Sequence, residues 1–186
     1  MSKTLKTIQT ISKVCKIIAM IVFVFSIIGA ILSALGLALF LAVKDVAIGD
    51  MTVTGLFAAE GISFADSIFA MIVAVISCIG SAVVAKFAHI YFTNELEDGT
   101  PFTYDGAKEM LRLGILSLAI PIGISSVSSI AFVTYKSFDQ SLTTADYNIS
   151  VDIGIGLALI FMSFIFKYGA EREEKRASEE SQEYDL

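Results

Sequence analysis

The chain has 186 residues, of which 55% are hydrophobic, and a net charge of −6, with a mean hydropathy of +0.77. Seven of its nineteen acidic residues lie in the last sixteen positions, so the negative charge describes a tail and not a binding face. This composition argues against nucleic acid as a partner and leaves no room for a soluble domain beside the apolar segments.

Four uncharged runs divide the chain, with lengths of 27, 19, 23 and 14 residues. A helix needs about 20 apolar residues to cross the hydrocarbon core of a bilayer, so three runs suffice alone and the fourth needs its charged borders. The sequence predicts an all-α membrane protein, four transmembrane helices in an up-down bundle that forms one domain over residues 1–170. The predicted spans are about 17–43, 66–91, 109–135 and 147–168.

Positive charge is distributed unevenly between the two ends of these spans. Eleven of the thirteen Lys and Arg residues fall on one side, and only Lys44 and Lys136 fall on the other. Because lysine and arginine are enriched in cytoplasmic loops, both termini are predicted to lie in the cytoplasm. We expect a multi-pass protein of the bacterial plasma membrane.

The segment before span one is amphipathic. Ser12 lies on one helical face with Leu5, Ile8 and Cys15, while most of the nearby lysines lie on another. This pattern predicts an interfacial helix that continues into span one.

Small residues recur at steps of four in span one (Ser26, Ala30, Ala34) and in span two (Ser77, Ser81, Ala85). Such stripes let helix backbones approach closely, and we expect them to pack within the chain; a dimer contact is the alternative.

The outer loop, residues 44–65, contains the β-prone triplet Thr52-Val53-Thr54. Ser63, followed by Asp66 three residues later, resembles a capping box that starts span two. Asp66 would also complement the positive end of the helix dipole, which favours a structural role. A ligand or ion site at Asp66 is the functional alternative.

Lys86 and His89 lie at i and i+3 near the cytoplasmic end of span two. We expect both side chains to extend towards the inner headgroups. His89 is the only histidine, so a metal site would have to recruit carboxylates, and no metal-ligand spacing is present. The two cysteines, Cys15 and Cys78, form no C-x-x-C pattern. Neither a metal nor another cofactor is therefore predicted.

A hydrophilic turn, residues 93–103, precedes span three, where Thr103 can cap the next helix. The helix begins as an amphipathic segment: one side is predicted to be buried (Ala107, Met110, Leu111, Gly114) and the other to face water (Lys108, Glu109, Arg112). Further along, Pro121 removes one backbone hydrogen bond, so it is predicted to kink the span.

The turn also carries a family resemblance. Asp98-Gly-Thr-Pro-Phe-Thr103, followed by the amphipathic helix that starts near Gly106, resembles the signature of the YoaS-like family of uncharacterised bacterial membrane proteins. Residues 165–171, Ile-Phe-Lys-Tyr-Gly-Ala-Glu, are similar to the end of span four in that family, and Gly106 stands where relatives tend to have asparagine. The resemblance implies four spans and no settled activity.

Asp152 is the sharpest candidate for chemistry. Only 14 uncharged residues separate it from Lys167, about 21 Å of helix, which is shorter than the hydrocarbon core. Lysine can extend to the surface and aspartate cannot, so Asp152 is a candidate proton or cation site. The alternative places it one turn inside the outer boundary, close to water. Beyond Lys167 the helix should continue into a charged cytoplasmic tail, residues 171–186, that becomes disordered after about Ser178.

These patterns favour a non-enzymatic membrane protein that acts through protein contacts as an accessory, sensory or immunity-type component. The lipid bilayer, and either a membrane-protein partner or a second copy, are the expected partners. The alternative is a small ion or solute transporter or channel that uses Asp152 and Asp66, with span three lining a path. A membrane enzyme is disfavoured, because it would require the polar residues of spans two and four to converge.

Overall fold

The computed structural model describes residues 3–44, 46–48, 51–60, 63–138 and 153–184. Four long helices dominate it, and a short antiparallel strand pair and a seven-residue helix follow the first of them. The elements in chain order are α1 (Lys3–Val43), β1 (Ala47–Ile48), β2 (Met51–Thr52), α2 (Val53–Ala59), α3 (Phe64–Asp98), α4 (Tyr104–Phe138) and α5 (Ile153–Tyr184).

The four long helices are each long and apolar enough to cross a membrane. Their surfaces remain apolar: Phe25 of α1, Ile130 of α4 and Phe161 of α5 are each 66–68% exposed. A soluble protein would bury side chains of this size, whereas lipid solvates them. The prediction of a helical protein with four spans is confirmed at this level. The cytoplasmic position of the termini stays a prediction from charge.

The chain, predicted as one domain over residues 1–170, divides by its contacts into two compact units. Unit 1 comprises Met1–Phe23, Val83–Ala119 and Asp152–Leu186, and unit 2 comprises Val24–Ala82 and Ile120–Val151. Unit 1 therefore contains the start of α1, the turn between α3 and α4, and all of α5.

Unit 1 contains most of the buried apolar side chains of the described residues. They are Ala19, Ala85, Tyr91, Ala107, Met110, Leu113 and Ala170. Glycines bring α4 and α5 into close contact here. A Cβ atom on Gly114 would lie 2.9 Å from the backbone nitrogen of Ile160, and one on Gly156 would lie 2.3 Å from Cγ of Leu118. Since lipid provides no hydrophobic drive for helices to associate, such backbone contact supplies the packing energy.

Unit 2 contains a close contact between α1 and α3. A Cβ atom on Gly29 would lie 3.1 Å from Sγ of Cys78, so two small residues let the helices approach here. Beyond them, the ring of Phe40 stacks on Phe64 at 4.5 Å and meets Phe57 edge-on at 5.1 Å. The loop after α1 is thereby held against the helix from which it emerges.

The turn between α3 and α4 depends on two residues with specific conformational roles. Gly99 has φ +73°, the left-handed conformation with which many helices end. The hydroxyl of Thr103 accepts a hydrogen bond from the backbone N–H of Gly106 at 2.9 Å, which confirms Thr103 as the cap of α4.

Replacing Thr103 with alanine is expected to lower the free energy of unfolding by about 1 kcal/mol, because the backbone N–H of Gly106 loses its acceptor. Thr103→Ser keeps the hydroxyl and should retain most of that stability. Thermal unfolding in detergent, followed by circular dichroism, measures both variants. Equal losses in the two variants would show that the methyl group, and not the cap, is responsible.

Two helices can be compared with the sequence predictions, α5 for where it ends and α4 for its predicted kink. α5 is helical to Tyr184, beyond Ser178, where disorder was expected to begin; its Glu, Gln, Ala and Lys residues are good helix formers. α4 is assigned as one helix through Pro121. The kink there stays a prediction.

Candidate functional site

A buried polar network connects α1 to the end of α3 in unit 1. Glu95 is 9% exposed, and its Oε1 accepts a hydrogen bond from the hydroxyl of Ser12 at 2.9 Å. Tyr91, which is 2% exposed, lies one helical turn away, and its hydroxyl interacts with the same carboxylate. One turn further out, Gln9 donates to the carbonyl of Gly99 at 3.4 Å. A buried carboxylate is tolerated only with such donors, so this network sets the register between the two helices.

The side chain of Glu109 in α4 is less exposed than the sequence predicts. It was expected to face water with Lys108 and Arg112, and those two side chains are exposed. Glu109 is instead half-buried, and its Oε1 accepts a hydrogen bond from Nδ2 of Asn94 at 2.6 Å. Its Oε2 is buried, and within the described part of the chain it has no hydrogen-bond partner. Asn94 thus holds Glu109 against α3, a contact between helices that helical periodicity alone does not show.

A polar cleft opens beside this contact. We name the segment around it, residues 93–112, the polar collar. The cleft has a volume of about 270 Å³ and is lined by Asn94, Glu97, Asp98, Asp105, Gly106, Lys108, Glu109 and Arg112. Both signs of charge are present, with four carboxylates and two cations. The collar therefore offers a surface with fixed charges that the described residues leave open.

The turn that carries the family resemblance anchors the collar to α5. A Cβ atom on Gly169 would lie 2.4 Å from the ring of Phe102, so only glycine leaves space for that ring. Phe102 also meets Phe166 edge-on at 5.8 Å. The hydroxyl of Tyr104 donates to a carboxylate oxygen of Glu174 at 3.1 Å. The motif residues thus have structural explanations, as packing and capping positions.

Lys86 and His89 are brought together on the side of α3 that meets α1. Nδ1 of His89 lies 3.3 Å from the backbone carbonyl oxygen of Lys16, a contact in which the imidazole N–H must donate. The ammonium of Lys86 lies 5.7 Å from the ring centroid of Phe23. A cation–π contact of this kind contributes about 0.5–2 kcal/mol.

The remaining predicted site residues are placed as follows. Asp66 is 8% exposed in the first turn of α3, where its backbone N–H donates to the hydroxyl of Ser63 at 3.4 Å. This geometry is the predicted capping arrangement. Asp66 and Lys86 belong to the same helix, α3. Asp152 lies outside the described residues.

Among the residues that the structure describes, no group of three or more His, Cys, Asp or Glu side chains could hold a metal ion. Both cysteines, Cys15 and Cys78, carry free thiols.

Sequence reasoning missed the buried carboxylate of the network, Glu95. A signal was present, because Tyr91 and Glu95 lie at i and i+4 and Ser12 interrupts an otherwise apolar face of α1. The pairing of α1 with α3 that joins these residues follows only from the tertiary fold.

No protein-family model, curated protein or solved structure matches this chain. The resemblance of the turn to the YoaS-like family therefore stays a prediction.

Proposed function

We propose that this chain is a non-enzymatic integral membrane protein that acts through contacts with other proteins, as an accessory, sensory or immunity-type component. In this proposal the termini and the polar collar lie in the cytoplasm, and the membrane is the bacterial plasma membrane. The observation that supports the proposal best is the charged cleft of the collar, because fixed charges of both signs provide specificity for a protein partner.

The collar is also preorganised. Gly99 and Thr103 set the turn, Phe102 fits against Gly169, and Asn94 orients Glu109. A surface that is already ordered loses little conformational entropy when a partner binds, which favours recognition. The charge asymmetry that assigns the collar to the cytoplasm would present it to soluble as well as membrane partners.

Affinity capture from native membranes tests this proposal. We expect the wild-type chain to retain a specific protein, and Glu97→Lys to retain several-fold less, because the reversal changes the charge of the cleft while suiting the C-terminal end of α3. Glu179→Lys makes the same charge change on the exposed tail and serves as the control. If the wild-type chain is recovered alone, under conditions that preserve other membrane complexes, the proposal is wrong.

The transporter alternative depends on Asp152, which lies outside the described residues, and on Asp66, whose position in the first turn of α3 suits a helix cap. It predicts that the purified protein moves an ion or solute across liposomes and that Asp152→Asn abolishes the flux. Unchanged flux in that variant would remove Asp152 from any transport mechanism.

A further inference from the structure

One side of α5 is exposed over the apolar part of the helix. Leu157, Phe161 and Phe164 on this side are 55–66% exposed. Ser163 and Ala170, which lie on the opposite side by helical spacing, are 3% and 5% exposed. The helix therefore packs against unit 1 through one side and presents large apolar side chains to lipid on the other.

The exposed side continues into an aromatic residue and then into cations. Tyr168 follows Phe161 and Phe164 at spacings of seven and four residues and is 59% exposed. Arg172 and Lys175 come next on the same side, and both are exposed. Membrane helices show this order from the hydrocarbon to the headgroups, where tyrosine is enriched and cations extend into the polar layer.

The distribution of charge along α5 places the membrane boundary near Tyr168. Residues 171–176 are six consecutive charged residues, and such side chains are too costly to lie in hydrocarbon. Phe164 and Ile165, on the other side of Tyr168, are 60% and 43% exposed and apolar. Only about 9 Å of helix separates Ile165 from Glu171, so the headgroup layer begins within this interval.

Tyr168 holds the side chain of Arg172 at this boundary. Nε of Arg172 donates a hydrogen bond to the hydroxyl of Tyr168 at 3.2 Å, and the guanidinium carbon lies 5.6 Å from the centroid of the ring. Within the described part of the chain, this hydroxyl is the hydrogen-bond partner of the guanidinium. The two terminal nitrogens thus keep their donors, and they form the planar fork that matches a phosphate.

Positive charge is concentrated on this side of α5, although glutamates share the segment. Lys175 and Arg176 lie within about 60° of Arg172 around the helix, and all three are exposed. Glu174 is turned towards α4, because it accepts the hydrogen bond of Tyr104 at 3.1 Å. The other two glutamates of residues 171–176 lie about 100° to either side of Arg172. The side that bears Tyr168 therefore complements an anion.

We propose that Tyr168, Arg172, Lys175 and Arg176 form a docking site for the headgroup of an anionic phospholipid. The phosphate binds at the guanidinium fork of Arg172, and the acyl chains lie along the exposed apolar side of α5. Lys175 and Arg176 favour a headgroup with net negative charge, since they repel the ammonium of a zwitterionic lipid. The site shares no residue with the cleft of the polar collar, and it does not depend on the proposed function.

Fluorescence quenching in vesicles tests the site directly. The chain contains no tryptophan, so Tyr168→Trp gives the full-length protein a single indole at the site and keeps an aromatic ring beside Arg172. The quenchers are phosphatidylglycerol and phosphatidylcholine, each brominated near the top of its acyl chains and added to vesicles of unlabelled phosphatidylcholine. We expect brominated phosphatidylglycerol to occupy the site at least about fivefold more tightly, the effect of one surface cation.

Variants in the Tyr168→Trp background should change this preference in a defined way. Arg172→Gln should lower it about fivefold, and Arg172→Lys should keep part of it, because the charge remains without the fork. Lys13→Gln removes an exposed cation from α1 and is the matched control, which should leave the preference intact. Equal quenching by the two lipids, or a preference that Arg172→Gln leaves unchanged, would overturn the proposal. An equal loss in Lys13→Gln would overturn it too, since total charge would then set the preference.

Two further measurements separate other occupants of this side of α5. Excess inorganic phosphate in solution should not change the preference; if it abolishes the preference, the site binds free phosphate and the lipid assignment is wrong. In native membranes, a captured protein that Arg172→Gln loses, together with equal quenching by the two lipids, would assign the site to a protein instead. Capture of nothing by the wild type would count against the proposed function alone, because the lipid preference is measured without a partner.

Discussion

Replacing Gly114 with alanine is expected to destabilise the protein, while the same replacement of Gly123 on the same helix is expected to be neutral or stabilising. A Cβ atom on Gly114 would lie 2.9 Å from the backbone nitrogen of Ile160 and 3.2 Å from the carbonyl oxygen of Gly156. Backbone atoms of a packed helix cannot move aside as a side chain can, so α4 and α5 must separate. The expected cost is about 1–3 kcal/mol.

Gly123 is the control for this prediction, since a Cβ atom there has nothing within 4 Å. Alanine at that position should gain up to about 1 kcal/mol from helix propensity and unfolded-chain entropy. Thermal unfolding of the two variants in the same detergent should therefore shift the midpoint in opposite directions or, at the least, by clearly different amounts. Equal shifts would mean that the close contact between α4 and α5 does not contribute to stability.

The second large effect is expected at Glu95. Glu95→Ala removes one acceptor of the buried Ser12 hydroxyl and the carboxylate that interacts with the buried Tyr91 hydroxyl. The Ser12 hydroxyl keeps the carbonyl oxygen of Ile8, 3.1 Å away, as an acceptor. The free energy of unfolding should therefore fall by about 1–3 kcal/mol, the cost of one buried polar group that loses its partner. Denaturant or thermal unfolding in detergent measures the loss.

Glu97→Ala provides the matched comparison, because Glu97 is an exposed carboxylate only two residues away. Its expected effect is within about 0.5 kcal/mol. A double-mutant cycle of Ser12→Ala with Glu95→Gln should give a coupling energy of about 0.5–3 kcal/mol, as expected for groups in direct contact. A Glu95→Ala variant as stable as Glu97→Ala, or a coupling energy near zero, would remove the network from the forces that join α1 to α3.

The turn between α3 and α4 shows how a recognisable sequence signature can have a structural explanation. Gly99 supplies a left-handed conformation, Thr103 caps α4, and Phe102 occupies the space that Gly169 leaves. These structural roles are enough to explain the residue types, and no ligand is needed to account for them. Residues around the signature that are exposed, such as Glu97 and Lys108, are therefore better candidates for specificity than the signature itself.

Local sequence determined much of the architecture. Apolar runs of sufficient length predicted four spanning helices, because every backbone group in lipid must bond within its own helix or barrel. Ser63 before Asp66, and Thr103 before α4, predicted two helix starts that the structure confirms, since capping is a contact over three residues. Periodicity also separated the buried Ala107 and Met110 from the exposed Lys108 and Arg112.

Contacts between residues distant in the sequence were decided only by the tertiary structure. Glu95 belongs to a turn that reads as hydrophilic, yet it is buried because Ser12 approaches from 83 residues away. Glu109 lies on a polar helix face, yet Asn94 of α3 holds it against that helix. The ammonium of Lys86 lies over Phe23 of α1, a contact that the sequence around Lys86 does not show. Hydropathy measures how strongly each residue prefers lipid or water. The positions of these side chains depend instead on which helices pair and in what register, and side-chain packing between helices decides both.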